Sequence, residues 1–211
     1  SLNTKLKYIA DQINKPGFKK FLQEGKAVIA FHPTEEGKLQ PLLSAAIPAE
    51  MSFRQIREAL VSSGVKKITE SKVGGRRFIE LPFILNGRSD TLFMNITTGL
   101  MVCSTSRGLI EKTLFKAAPG TDIRDAPGFS KVLLSAGKNE DKIFIVFENL
   151  TKVIKSLLIP PALSMADMIA KLGECTGGDI YISDHGISVS GYTQSNDPAD
   201  YLYRFRDIQP G

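Results

Sequence analysis

The residues with most chemical potential lie between Cys103 and Arg107, where the order is Cys-Ser-Thr-Ser-Arg. The segment separates a predicted strand from a predicted helix, a position that lowers the pKa of a thiol and binds anions. A phosphatase-type loop requires five residues between the cysteine and the arginine, whereas this chain has three. We therefore interpret the segment as a strand end followed by a serine helix cap, and retain Arg107 only as a candidate anion contact.

A second candidate site is the run Arg76-Arg77-Phe78, which follows Gly74-Gly75. Sheets that bind RNA use cationic side chains for phosphates and aromatic rings for base stacking. The aromatic pattern of an RNA-recognition motif is missing, and a solvated edge strand protected by positive charge accounts for the same residues. The run thus supports, as an alternative function, a nucleic-acid or anionic-ligand binding domain that uses this basic hairpin.

Other motifs predict no catalysis, metal or cofactor. Ser63 and Lys66 have the spacing of a penicillin-binding nucleophile pair, but the accompanying Lys-Thr-Gly is absent. His32 and His185 stand in predicted turns without further ligands at metal-like spacing. There is no Gly-x-Gly-x-x-Gly motif and no phosphate loop. We expect a protein that is not an enzyme and that holds no metal or organic cofactor.

Composition is that of a folded protein, with 42% hydrophobic and 23% charged residues and a net charge of +5. Cys103 and Cys175 are compatible with one disulfide or with two separate buried thiols. No apolar run is long enough to span a membrane. The chain begins at Ser1 without a methionine, and we expect both ends to be cuts in a longer protein whose membrane anchor lies upstream.

The first half of the chain predicts helices followed by hairpins. Gly74-Gly75 predicts a tight hairpin turn, and Ser52 with Gln55 predicts a capping box that starts a helix. The predicted helices cover 2–14, 16–24 and 53–62, and the predicted strands cover 26–31, 39–47, 65–72, 76–85, 91–96 and 100–103.

The second half predicts more helices and a second hairpin. The hairpin turns at Asp184-His185-Gly186, between apolar residues that alternate with polar ones. The predicted helices cover 107–117, 127–136, 150–158, 165–173 and 198–207, and the predicted strands cover 142–148, 179–183 and 187–193.

Mixed blocks of strands and helices without a βαβ rhythm predict an α+β fold with antiparallel sheets of hairpins and helices packed on one side. We place a first α+β module with a four-strand meander at 1–140. A partial second module at 141–211 packs on it, and the two are also compatible with one compact domain.

The order of elements further predicts an internal duplication. Helix, helix, hairpin and helix occur in this order in both halves, and Thr4-Lys5-Leu6 parallels Thr151-Lys152-Val153. The second half has a leading strand at 142–148, whereas the first half would have its leading strand upstream of Ser1. Each partial unit then has an apolar face that it does not cover alone.

Several runs resemble an uncharacterised family of Bacteroidetes-type bacteria whose members are long, membrane-anchored and extracytoplasmic and carry a domain of unknown function. The runs are KAVIAFHPTEEGKLQPLL, LFMNITTGLMVCSTSRGLIEKTL, DKIFIVFENLTKVIKSLL and GISVSGYTQSNDPADYLYRFRDIQP. The resemblance spans roughly residues 26 to 211 and carries no functional residues. It implies a location in the periplasm or cell envelope, with an anchor in the full-length protein.

The sequence thus leads to a non-enzymatic cell-envelope binding or scaffold module. Its expected partner is a protein or another envelope component, and nucleic acid is not the expected partner. Its only expected contact with a membrane is through the upstream anchor.

Overall fold

The computed structural model describes residues 2–15, 27–33, 39–85, 87–115, 123–137, 141–155, 163–183 and 186–205. The chain divides into two compact units, Ser1–Lys116 and Ala117–Gly211. Each unit contains its own antiparallel sheet. Helices accompany both sheets, which confirms the α+β class.

The first unit is built on a six-stranded sheet with the order β1-β2-β6-β5-β4-β3, in which every neighbouring pair is antiparallel. Its strands are β1 Ala27–Pro33, β2 Leu39–Ala46, β3 Thr69–Val73, β4 Arg76–Leu85, β5 Arg88–Thr97 and β6 Leu100–Ser104. Its helices are α1 Leu2–Ile13, α2 Phe53–Ser62 and α3 Arg107–Phe115.

Two features of the first unit that were predicted from short stretches of sequence are present in the structure: a hairpin turn and a helix capping box. Gly74 and Gly75 have φ values of 55° and 81° between β3 and β4, as a two-residue turn with two positive φ angles requires. At the start of α2, the Ser52 side chain accepts a bond from the Gln55 amide, and the Gln55 side chain accepts one from the Ser52 amide. The predicted hairpin and capping box are both confirmed.

Helices cover both faces of the six-stranded sheet. Ile79 of β4 belongs to a core cluster with Ile9 of α1 and Ile56 of α2. The adjacent Phe78 belongs to a different cluster with Ile110 of α3. Successive strand residues point to opposite faces, so the prediction that helices pack on one side is wrong for this sheet.

The second unit is built on a three-stranded antiparallel sheet with the order β7-β8-β9. Its strands are β7 Lys142–Val146, β8 Cys175–Ser183 and β9 Gly186–Gln194, and its helices are α4 Phe129–Ser135, α5 Phe147–Lys155 and α6 Leu163–Ala170. The predicted hairpin β8–β9 is confirmed, although two of its turn residues, 184 and 185, lie outside the described residues. The helix predicted at 198–207 is wrong over its described part, where turns lead into a short 3-10 helix, Leu202–Phe205.

Helix α4 belongs to the second unit and not to the first. Phe129 and Val132 of α4 form a buried cluster with Cys175 of β8, and Phe144 of β7 packs against it. The Phe129 and Phe144 rings lie 5.2 Å apart, tilted by 56°. The predicted boundary after residue 140 is therefore too late, because it separates α4 from the sheet whose core it completes.

The predicted duplication remains a prediction. Both units contain an antiparallel hairpin, β1–β2 in the first and β8–β9 in the second. In the first unit, the second hairpin strand, β2, lies between β1 and β6, so the first strand, β1, is the sheet edge. In the second unit, the first hairpin strand, β8, lies between β7 and β9, so the second strand, β9, is the sheet edge. The helix predicted at 16–24 lies outside the described residues.

Candidate functional site: the open sheet edges

The predicted basic run on β4 does not form one binding surface. Arg76 shares a sheet face with Phe78, whereas Arg77 shares the opposite face with Ile79. Phe78 is fully buried, so its ring offers no face to a nucleic-acid base. The part of the predicted site that needs Arg76, Arg77 and Phe78 to act together is wrong.

Arg107 lies unexpectedly close to Phe78, with its guanidinium carbon 5.8 Å from the ring centroid. Its Nε donates to Oε1 of Glu111 at 2.9 Å, and its Nη1 is 4.0 Å from Oε1 of Glu80. Glu80 also accepts a hydrogen bond from Ser71 at 2.5 Å. Two carboxylates therefore offset the charge of Arg107, and the cluster ties α3 to the sheet in place of attracting an anion.

The Cys103 segment is also engaged in the fold. Burial raises the pKa of Cys103 to about 12, so its thiol is not a nucleophile at neutral pH. Ser104 donates to the Pro41 carbonyl at 2.8 Å and accepts a bond from the Ser106 amide at 3.0 Å. The low-pKa thiol that the segment's position could have produced is absent. Ser106 accepts a bond from the Leu109 amide at 3.3 Å in the first turn of α3, which agrees with the interpretation as a strand end and a serine helix cap.

A partly buried polar cluster joins α1 to the ends of three strands. Lys5 donates to Gln40 Oε1 at 3.0 Å and to Thr105 Oγ1 at 3.1 Å, and its Nζ is 3.4 Å from Asp90. Thr105 donates to Gln40 at 2.7 Å. No signal in the sequence links these residues, because their proximity depends on α1 packing against β2. The cluster is internally satisfied, so we assign it a structural role.

The thiol of Cys175 and the imidazole of His32 are poorly placed for catalysis, and His185 lies outside the described residues. Cys103 and Cys175 are free thiols, each buried in the core of its own unit, which agrees with the alternative of two separate buried thiols. Burial raises the pKa of Cys175 and lowers that of His32. Within the described ranges, no three His, Cys, Asp or Glu side chains converge as metal ligands.

The most distinctive surface of the first unit is the outer edge of β1. Val28, Ile29 and Phe31 are 62%, 53% and 44% exposed, and none of the seven residues of β1 carries an acidic, lysine or arginine side chain. No described strand pairs with this edge. An edge with free backbone groups and apolar side chains is a template for another strand.

The opposite edge of the same sheet is protected. β3 is only five residues long and carries exposed Glu70 and Lys72. Glu70 is held by Arg57 of α2 at 3.0 Å. Charged side chains on a short strand discourage the addition of further strands, so the two edges of the six-stranded sheet differ in chemistry.

The second unit has an edge of the same uncharged kind. β9 contains no acidic or basic residue, and Ile187, Val189 and Tyr192 are exposed along it. Its outer side is unpaired among the described strands. Sequence reasoning missed both edges because the order of strands in a sheet is not a local property. The signal that was available is the run of uncharged residues in each strand.

The described helices are too short or too polar to cross a membrane. The sequence matches no family model, and neither the curated proteins nor the solved structures contain a match to it.

Proposed function

We propose that this chain is a non-enzymatic binding or scaffold module of the cell envelope, which holds a partner protein by strand addition at the edge of β1. The observation that carries the proposal is the exposure of Val28, Ile29 and Phe31 on an uncharged strand whose outer edge pairs with no described strand. In strand addition, the backbone hydrogen bonds supply affinity and alternate side chains supply specificity.

The side chains of β1 offer two different surfaces to such a strand. Ile29 and Phe31 lie opposite Leu43 and Pro41 of β2, on the face that carries the larger core cluster. Val28 points to the other face, opposite Ser44. A strand added to β1 therefore extends an existing apolar core on one face and covers Val28 on the other, which favours a protein partner over a small ligand.

The envelope location is supported by the resemblance over residues 26–211 to anchored extracytoplasmic proteins. It is tested by separating the cytoplasmic, periplasmic and membrane fractions of the native cells and detecting the full-length protein with an antibody. Recovery in the cytoplasmic fraction would contradict the location.

The binding site is tested by placing a photo-crosslinking amino acid at position 28 of the full-length protein in its native cells. We expect a discrete protein adduct whose crosslink maps to one extended segment of the partner, and we expect the additional change Ile29→Lys to remove it. The matched control carries the crosslinker at position 72, on the charged edge strand β3. Equal adducts from positions 28 and 72, or adducts that survive Ile29→Lys, would overturn the proposal.

A further inference from the structure

We propose that the strand accepted by β1 is β1 of a second copy of this chain, paired antiparallel about a two-fold axis at Ala30. This inference rests on the proposed function, because it names the partner of the same edge. Two identical surfaces that meet about a two-fold axis must be complementary to themselves, and the sequence of β1 meets this condition.

The register follows from the symmetry. With Ala30 opposite Ala30 of the second copy, Ile29 lies opposite Phe31 and Val28 lies opposite His32, each pair occurring twice. Pairs of an aromatic and a β-branched residue directly across two strands are stabilising. No pair brings two charges together, because His32 is the only titratable side chain of β1 and it lies opposite Val28.

The pairing also continues a core that is already present. Ile29 of β1 lies opposite Leu43 of β2, and Leu43 lies opposite Cys103 of β6. Leu43 and Cys103 are buried in the larger core cluster. The second copy's Phe31 would extend this row by one strand, so that exposed apolar side chains on both copies are covered by the same contact.

The other uncharged edge is less suited to pairing with itself. An antiparallel pair of β9 strands centred on Ser190 would place Val189 opposite Gly191 and Ile187 opposite Thr193. In this register, which pairs the whole of β9, neither combination joins two large apolar side chains. Registers centred on Ser188 or Val189 do join such side chains, but they leave part of β9 unpaired. β1 therefore has the better match to itself over its full length.

The seven residues of β1 limit the contact, and Pro33 at its end has no amide hydrogen to donate. We accordingly expect a weak, reversible dimer and not an obligate one.

The test uses cysteine pairs across the proposed axis. Residues directly opposite each other in an antiparallel pair have Cα atoms about 4.5–5.5 Å apart, within disulfide reach. We expect Ala30→Cys to form a disulfide-linked dimer under mild oxidation. Val28→Cys alone is the control, since its two copies would be separated by four residues along the strands, roughly 13 Å, whereas a mixture of Val28→Cys and His32→Cys proteins should crosslink.

Sedimentation of the protein without added cysteines gives the second measurement. We expect a concentration-dependent dimer whose dissociation constant rises tenfold or more in Ile29→Lys, while Val189→Lys on β9 leaves it unchanged. Circular dichroism establishes that each variant is folded.

The outcomes separate the two proposals. A monomer up to about 1 mM with no Ala30→Cys crosslink overturns self-pairing, and so does a dimer that Ile29→Lys does not weaken. Discrete crosslinks from position 28 to a different protein would overturn self-pairing and still support strand addition. Absence of every position-28 adduct would remove both.

Discussion

At the scale of single residues, side-chain environment decides which sequence motifs are available for function. Cys103 and Phe78 were both singled out by their neighbours in the sequence, and both are buried. Arg107 is surrounded by Glu80, Glu111 and an aromatic ring. The residue types correctly indicate which interactions these side chains are able to make. In the fold, however, they make those interactions with residues of the same unit and not with a ligand.

Gly177 is a residue whose missing side chain is required by packing. A Cβ atom built there would lie 2.5 Å from Cδ1 of Phe144 and 2.6 Å from Cγ1 of Val132. Gly177→Ala should therefore force α4 or the Phe144 ring to move, lowering the free energy of unfolding by about 1–3 kcal/mol. Urea unfolding followed by circular dichroism measures the change.

Gly108→Ala is the matched control for this prediction. Gly108 lies in helix α3, where an added Cβ meets nothing within 4 Å, and alanine should raise stability by up to about 1 kcal/mol. If Gly177→Ala were as stable as the unmodified protein, the proposed close packing of α4 on β7 and β8 would be wrong.

At the scale of elements, one helix start and one hairpin turn were predicted from local signals, whereas the order of strands in the sheet was not predicted. The turn at Gly74-Gly75 and the capping box of α2 depend on residues within a few positions of one another. The neighbourhood of β2 and β6 depends on residues such as Leu42 and Ser104, which no local pattern connects. The strand order places β1 and β9 at sheet edges. Their lack of charge is visible in the sequence, but their position at an edge is known only from the fold.

Helix α2 gives a test of the local signal. Ser52→Ala removes the side-chain acceptor for the Gln55 amide, which lies 3.3 Å from Ser52 Oγ, and should cost about 1 kcal/mol of stability. Thermal unfolding of the variant measures the loss. Ser130→Ala, at an exposed position of α4, controls for the change of serine to alanine, and an equal effect of both substitutions would mean that the capping box contributes nothing.

At the scale of the whole molecule, the chain consists of two units with separate cores. The sequence predicted two modules but placed α4 in the first, because a helix that stands between two sheets in sequence has no local mark of which sheet it packs against. Phe129 and Val132 assign α4 to the second unit. The sequence predicted that both residues belong to a helix, but it did not predict that they pack against Cys175 of β8.

Expression of separate fragments tests this division. A fragment of residues 117–211 should retain α4 and unfold cooperatively, whereas a fragment of residues 141–211 should lack the apolar cover of Cys175 and Phe144 and bind a hydrophobic dye. Circular dichroism and dye fluorescence distinguish them. Indistinguishable folding of the two fragments would show that α4 is dispensable and would restore the later boundary.

The position of β2 beside β6 has a consequence for the time course of folding. Leu42 pairs with Ser104, so β2 acquires its inner neighbour only after the ribosome has released the intervening hairpins. β3, β4, β5 and β6 can assemble early through short connections, since local pairings form faster than distant ones. Until they do, the nascent β1–β2 hairpin has no neighbouring strand on either edge, and we expect the first unit to be prone to aggregation during this interval.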